Sequence, residues 1–228
     1  MEHPRRLSKD GSVHVTDEVF NTLSSSVGAI LSVIGIAALL YQSWIAHKLW
    51  HIVGFGVYGF GLINLFVLSA LHHGVNASPR TEHLLRQLDY FAIFLMIAGA
   101  VTPFCAILLR ETLRGEIVLV AMWGLAVVGI VIKGLFPQIP KWFTTALYVG
   151  MGWVGVTLFY PIYKILGWKA VLLLLTGGLF YTVGSVLYVL EKPNPFPGKF
   201  GFHEIWHLCV LGGSASHFCV IYFFLLPY

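Results

Sequence analysis

The sequence predicts an all-α fold, a seven-transmembrane-helix bundle with its N-terminus in the cytoplasm and its C-terminus outside, and three observations predict it. Of 228 residues, 57% are apolar and 11% charged, and the mean hydropathy is +0.81, outside the range of soluble domains. Apolar runs of membrane-spanning length, about 20 residues, recur along the whole chain. Tryptophans mark their borders at Trp44, Trp50, Trp142 and Trp168, where an amphipathic ring sits at headgroup depth.

Residues 1–25 form a polar N-terminal segment with Arg5, Arg6 and Lys9 but no apolar stretch long enough for a cleaved signal peptide. The first span is therefore expected to act as its own insertion signal. Residues 26–228 read as a single seven-helix membrane domain, with spans at Ser26–Trp44, Trp50–His72, Gln87–Leu109, Glu116–Leu135, Trp142–Tyr163, Trp168–Leu190 and His203–Pro227. Gly54, Gly56 and Gly59 spell GxGxxG inside the second span. A dinucleotide fingerprint needs a strand before it and a helix after it, so these glycines read as helix-packing positions. Cys105, Cys209 and Cys219 lie inside spans without CxxC spacing and suggest neither a disulfide framework nor a thiolate site.

Orientation follows from the basic residues. With seven spans, the N-terminal side collects Arg5, Arg6, Lys9, Arg80, Arg86, Lys133, Lys141, Lys192 and Lys199, nine of the fourteen. Cytoplasmic loops retain Lys and Arg, so this side is assigned to the cytoplasm. The net charge of +4 is then a topology signal without a basic cluster for nucleic acid.

Ionisable groups inside a membrane are costly and mark function. Ser69 and His73 close the second span, Asp89 opens the third, and His203 and His207 open the seventh. Odd spans start and even spans end on the N-terminal side, which brings all five to one depth. Spacing of four residues puts Ser69 with His73, and His203 with His207, on one helix face each. Three imidazoles with a nearby carboxylate match a zinc ion that keeps its fourth position open.

Simpler readings compete at each position. His3, His14, His47, His51 and His83 read as helix-end or interfacial histidines, as does His72, which points about 100° from His73. His217, ten residues beyond His207, lies about 15 Å deeper and reads as a buried interhelical hydrogen bond. Asp89 could pair with Arg86 one turn away. His203-Glu204-Ile205-Trp206-His207 also spells HExxH, in which Glu is a general base. A second carboxylate motif of the intramembrane protease kind is missing from the 21 residues that follow, and Glu204 reads more simply as an interfacial carboxylate.

Ser69-Ala-Leu-His-His73, Arg86-Gln-Leu-Asp89 running to Thr102-Pro103-Phe104, and Phe202-His203-Glu-Ile-Trp-His207 running to His217-Phe218 resemble the hemolysin III family, relatives of the progestin and adiponectin receptors. Glu18-Val-Phe-Asn21 is a weaker trace of the same pattern. The resemblance implies seven helices and zinc held near the cytoplasmic side by His73, His203 and His207, with Asp89 holding the zinc-bound water and Ser69 beside it. Ser24-Ser25 and Tyr90 depart from the pattern, which has Thr-His and His there, and this puts a role for the N-terminal segment in question. Short termini resemble the bacterial branch and imply a multi-pass protein of the bacterial inner membrane.

The expected function is zinc-dependent hydrolysis of a lipid amide or ester, with Asp89 orienting or deprotonating the water and Ser69 bonding the water or oxyanion. Membrane lipids are the expected partners, and the likeness to receptors linked with ceramide hydrolysis implies a sphingolipid-like or fatty-acyl amide. The alternative is a structural zinc in a membrane-homeostasis sensor or receptor. A pore is less well supported, since no polar stripe runs along a span.

Overall fold

The computed structural model describes Lys9 and residues 18–228. Among these residues every regular element is helical apart from an isolated bridge between Phe196 and Phe200. Seven helices are long and apolar enough to cross a membrane. They are α1 (Glu18–Ile45), α2 (Leu49–Gly74), α3 (Pro79–Leu108), α4 (Leu113–Leu135), α5 (Lys141–Leu166), α6 (Trp168–Leu190) and α7 (Phe202–Leu225). The chain is a multi-pass integral membrane protein. Val120, Leu113 and Trp168 are more than half exposed on its outer surface, as residues facing lipid should be, and Trp44 and Trp142 at the borders are exposed too.

Two helices begin well before their apolar runs. α1 starts at Glu18 and α3 at Pro79, behind an N-cap in which Ser78 Oγ accepts from Thr81 N at 3.3 Å. Apolar composition marks the depth of lipid, whereas polar turns beyond it stay helical when caps and partners satisfy their backbone.

Three helices carry local breaks. α5 is α-helical over Lys141–Val154, 3-10 over Gly155–Leu158 and α-helical again over Phe159–Leu166. Pro161 removes one helical N–H and crowds the carbonyl four residues back, which accounts for the tighter turn. α3 passes through Pro103 into a π turn at Phe104–Leu108, and α7 ends in one at Ile221–Leu225.

Small residues set the packing of α1, α2 and α3. A Cβ on Gly59 would meet Ile36 of α1, one on Gly54 would stand 3.1 Å from the Pro103 backbone, and one on Gly61 would stand 3.0 Å from the Leu95 and Met96 backbone of α3. Gly54 and Gly59 are thus contact positions, while Gly56 faces open space. The buried core between helices includes Leu39, Phe55, Tyr58, Phe94, Met122 and Phe202.

Candidate metal centre

The starts of α1, α3 and α7 and the end of α2 share one face of the bundle, and there the rings of His73, His203 and His207 form a triangle. Their centroids lie 5.0 Å apart for His73–His203, 4.9 Å for His73–His207 and 5.0 Å for His203–His207. All three side chains are buried, and one ligand nitrogen from each falls within 4.8 Å of the others. His73 Nε2 and His203 Nε2 are 3.3 Å apart. Two nitrogens held at zinc-bond length with a tetrahedral angle would be about 3.3 Å apart, so the donor set and its spacing fit that ion.

The far nitrogens face outward to partners. His73 Nδ1 donates to Glu18 Oε2 at 2.5 Å. His207 Nδ1 lies 3.1 Å from Ser25 Oγ, which lies 3.0 Å from Ser69 Oγ. Such contacts fix the ring orientation and leave Nε2 for a metal, the usual outer arrangement around ligating histidines. Lys9 adds to it: its N–H donates to Glu18 Oε1, and its Nζ reaches the carbonyls of His73 at 2.9 Å and Val75 at 2.8 Å. A cation on the last carbonyls of α2 also suits the helix dipole.

Asp89 sits beside this cluster, its carboxylate within 4.8 Å of nitrogens of His72 and His73. It makes no ion pair with Arg86 among the described residues; Arg86 Nη2 instead approaches His83 Nδ1 at 3.4 Å. Ser69 is buried and joins through Ser25. The five residues expected from the sequence are therefore brought together at one place.

One expectation needs correction. Glu204 is buried, at 1% exposure, and not interfacial. Its Oε2 accepts from Gly201 N at 2.7 Å, capping α7, and its Oε1 accepts from Asn21 Nδ2 at 3.4 Å. An acid so engaged is placed as a helix cap. His72 lies at a helix end as expected, in the last turn of α2, and is buried there with its ring centre 4.7 Å from that of His73. His51 behaves as expected and reaches the carbonyl of Leu225 at 3.2 Å, and His217 packs against the Tyr181 ring of α6 with 5.6 Å between ring centres.

Glu18 and Asn21 stand in the sequence as a weak trace of the family pattern and Ser25 as a departure from it, none of them with a site role, since the apolar run begins after them. Their spacing of three and four residues puts them on one helix face, which is the signal that could have found them.

A cavity runs from the histidines into the bundle. Ser25, Ser69, Asp89 and His207 line its polar end, and Ile93, Ile97, Val101, Phe104 and Ile162 line its apolar length, which reaches His217. The model of the family described as Haemolysin-III related matches residues 13–218. The chain belongs to this family. It is 38% identical over 213 residues to "Hemolysin-3" of Bacillus cereus, an alignment covering 93% of this chain and 94% of that one. "Hemolysin-3 homolog" of Bacillus subtilis (strain 168) is 34% identical over 210 residues, covering 92% and 95%. A more distant relative is human "Monocyte to macrophage differentiation factor", 27% identical over 197 residues, covering 83% and 76%. Family membership spans all seven helices and so every residue of the cluster.

Proposed function

We propose that this member of the family is a zinc protein that hydrolyses an amide or ester bond in a lipid-like substrate. The observation that carries the reading is the convergence of three buried imidazoles, one carboxylate and two hydroxyls on the polar end of an otherwise apolar cavity. His73, His203 and His207 would hold the ion, which when bound lowers the pKa of water and polarises a carbonyl.

The remaining chemistry belongs to side chains. Asp89 orients the attacking water and takes its proton. In its Nδ1–H tautomer, the one that would leave Nε2 for the ion, His207 donates to Ser25, Ser25 donates to Ser69, and the Ser69 hydrogen is left for an acceptor in the cavity. That acceptor is the substrate carbonyl oxygen as it gains charge. Glu18 keeps the His73 ring in its donor tautomer. The acyl C–N or C–O bond breaks with consumption of one water, leaving a fatty carboxylate and an amine or alcohol. Ile93, Ile97 and Val101 suit an acyl chain, a substrate that reaches such a cavity from the bilayer. This wall also favours a lipid over an aqueous path of the kind the name of the Bacillus cereus relative would suggest.

The basic bias toward the N-terminal side supports a cytoplasmic face for the site, and the two Bacillus relatives support a bacterial plasma membrane. The test is paired. Detergent-purified protein is measured for metal by plasma mass spectrometry and for fatty-acid release from acyl amides and esters. Asp89→Asn should keep one zinc per chain and lose turnover. A wild type free of metal in chelator-free buffer, or unchanged turnover in Asp89→Asn, sinks the reading. Zinc without turnover on any acyl substrate would point to a structural ion in a sensor.

A further inference from the structure

Lys133 lies in the last turn of α4 and is buried, at 5% exposure. Its Nζ donates to the Pro137 carbonyl at 3.1 Å and stands 4.6 Å from the centre of the Tyr90 ring. Neither partner carries a negative charge. Among the described residues no carboxylate forms an ion pair with it. A buried charge without a counter-charge is costly, and in a membrane protein it marks a site.

Lys133 lines the same cavity as Asp89 and His73. Tyr90, over which its ammonium rests, directly follows Asp89 in α3, which puts the charge at the polar end of the cavity and away from the acyl wall. Lys141 lines the cavity too but is neutralised by Glu191. Among the described residues that line the cavity, the positive charge left for a ligand is that of Lys133.

We propose that Lys133 is an anion subsite, holding a carboxylate or phosphate on the head group of the acyl lipid whose scissile bond faces Asp89. The inference rests on the lipid-hydrolase reading and narrows its substrate to an anionic acyl amide or ester. Tyr90 supports the ammonium from below, and the apolar wall takes the chain.

The test uses two probes with the same chain and amide, N-lauroylglycine with a carboxylate and neutral N-lauroylethanolamine. Binding to the full-length protein in neutral detergent is followed by tryptophan fluorescence, since Trp153 and Trp206 line the cavity. The wild type should bind the anionic probe about tenfold tighter, the scale of one charge-assisted hydrogen bond. Lys133→Met should bring the two probes to parity and leave the neutral probe unaffected, while Lys141→Met keeps the preference. Parity in the wild type, or a preference that survives Lys133→Met, overturns the proposal. Should Lys133→Met lose both probes, Lys133→Arg decides: a retained preference supports the subsite and a lost one overturns it. Inorganic phosphate is the third arm. Its binding with the same Lys133 dependence, without any preference between the lipids, would make this a free-ion site and overturn the lipid assignment. Fatty-acid release is read separately, so a charge preference without turnover defeats the hydrolase reading and leaves the anion subsite standing.

Discussion

Glu18 and His73, 55 residues apart in sequence, meet at 2.5 Å between carboxylate and Nδ1. The contact joins the first turn of α1 to the last turns of α2 and turns the Nε2 of His73 toward His203. A carboxylate in this position sets ring tautomer and donor strength.

Glu18→Gln should therefore weaken zinc binding by about 10–100-fold while the helices stay folded. Competition with a chelating dye measures the affinity, and circular dichroism the fold. An unchanged affinity would reduce the contact to a packing role.

Ser25 and Ser69 should separate in their effects. Ser25→Ala leaves His207 Nδ1 and Ser69 Oγ without their shared partner, which costs about 1–3 kcal/mol of stability for an unmet buried group. Ser69→Ala removes only the end of the relay, so metal content should persist while turnover falls. Equal metal loss in both variants would contradict the direction of donation.

Glu204→Ala tests the helix cap against the general base. Loss of the contact to Gly201 N should lower stability by about 1 kcal/mol and leave turnover per bound zinc largely intact. Abolished turnover at full zinc occupancy would restore the HExxH base.

The α2–α3 contact makes a prediction about membrane packing. Gly61→Ala puts a methyl 3.0 Å from the Leu95 carbonyl and the Met96 Cα, where two backbones have to part, and should cost about 1–3 kcal/mol. Gly56→Ala meets nothing within 4 Å and should be neutral or stabilising by up to about 1 kcal/mol. Thermal unfolding in detergent compares the two, and equal midpoints would remove the packing argument.

Much of this site was legible in the sequence because depth can be counted. Helix direction alternates at each span, so His73, Asp89, His203 and His207 could be put at one level from crossings alone, and i, i+4 spacing then set the faces. What composition hid was the polar lead of α1. Hydropathy scores lipid contact, and Glu18, Asn21 and Ser25 face protein, so they read as a tail when they are two turns of helix. Glu204 was misread for a related reason: a carboxylate near a helix start resembles an interfacial acid until the backbone N–H it caps is seen. Lys133 is a different case, since the lack of a carboxylate beside it among the described residues is a property of three dimensions.

The two ends of the triangle are made at very different times. His73 leaves the ribosome 130 residues before His203, which at 5–20 residues per second is on the order of ten seconds. During that interval the nascent chain has one of the three imidazoles and no partner helix to complete the set. Newly made protein is therefore born without a finished pocket, and on the proposed zinc reading the ion would be acquired after the seventh helix docks, as the closing event of biosynthesis. A ribosome stalled before the last helix would yield an inserted chain with a good hydropathy profile and nothing to bind.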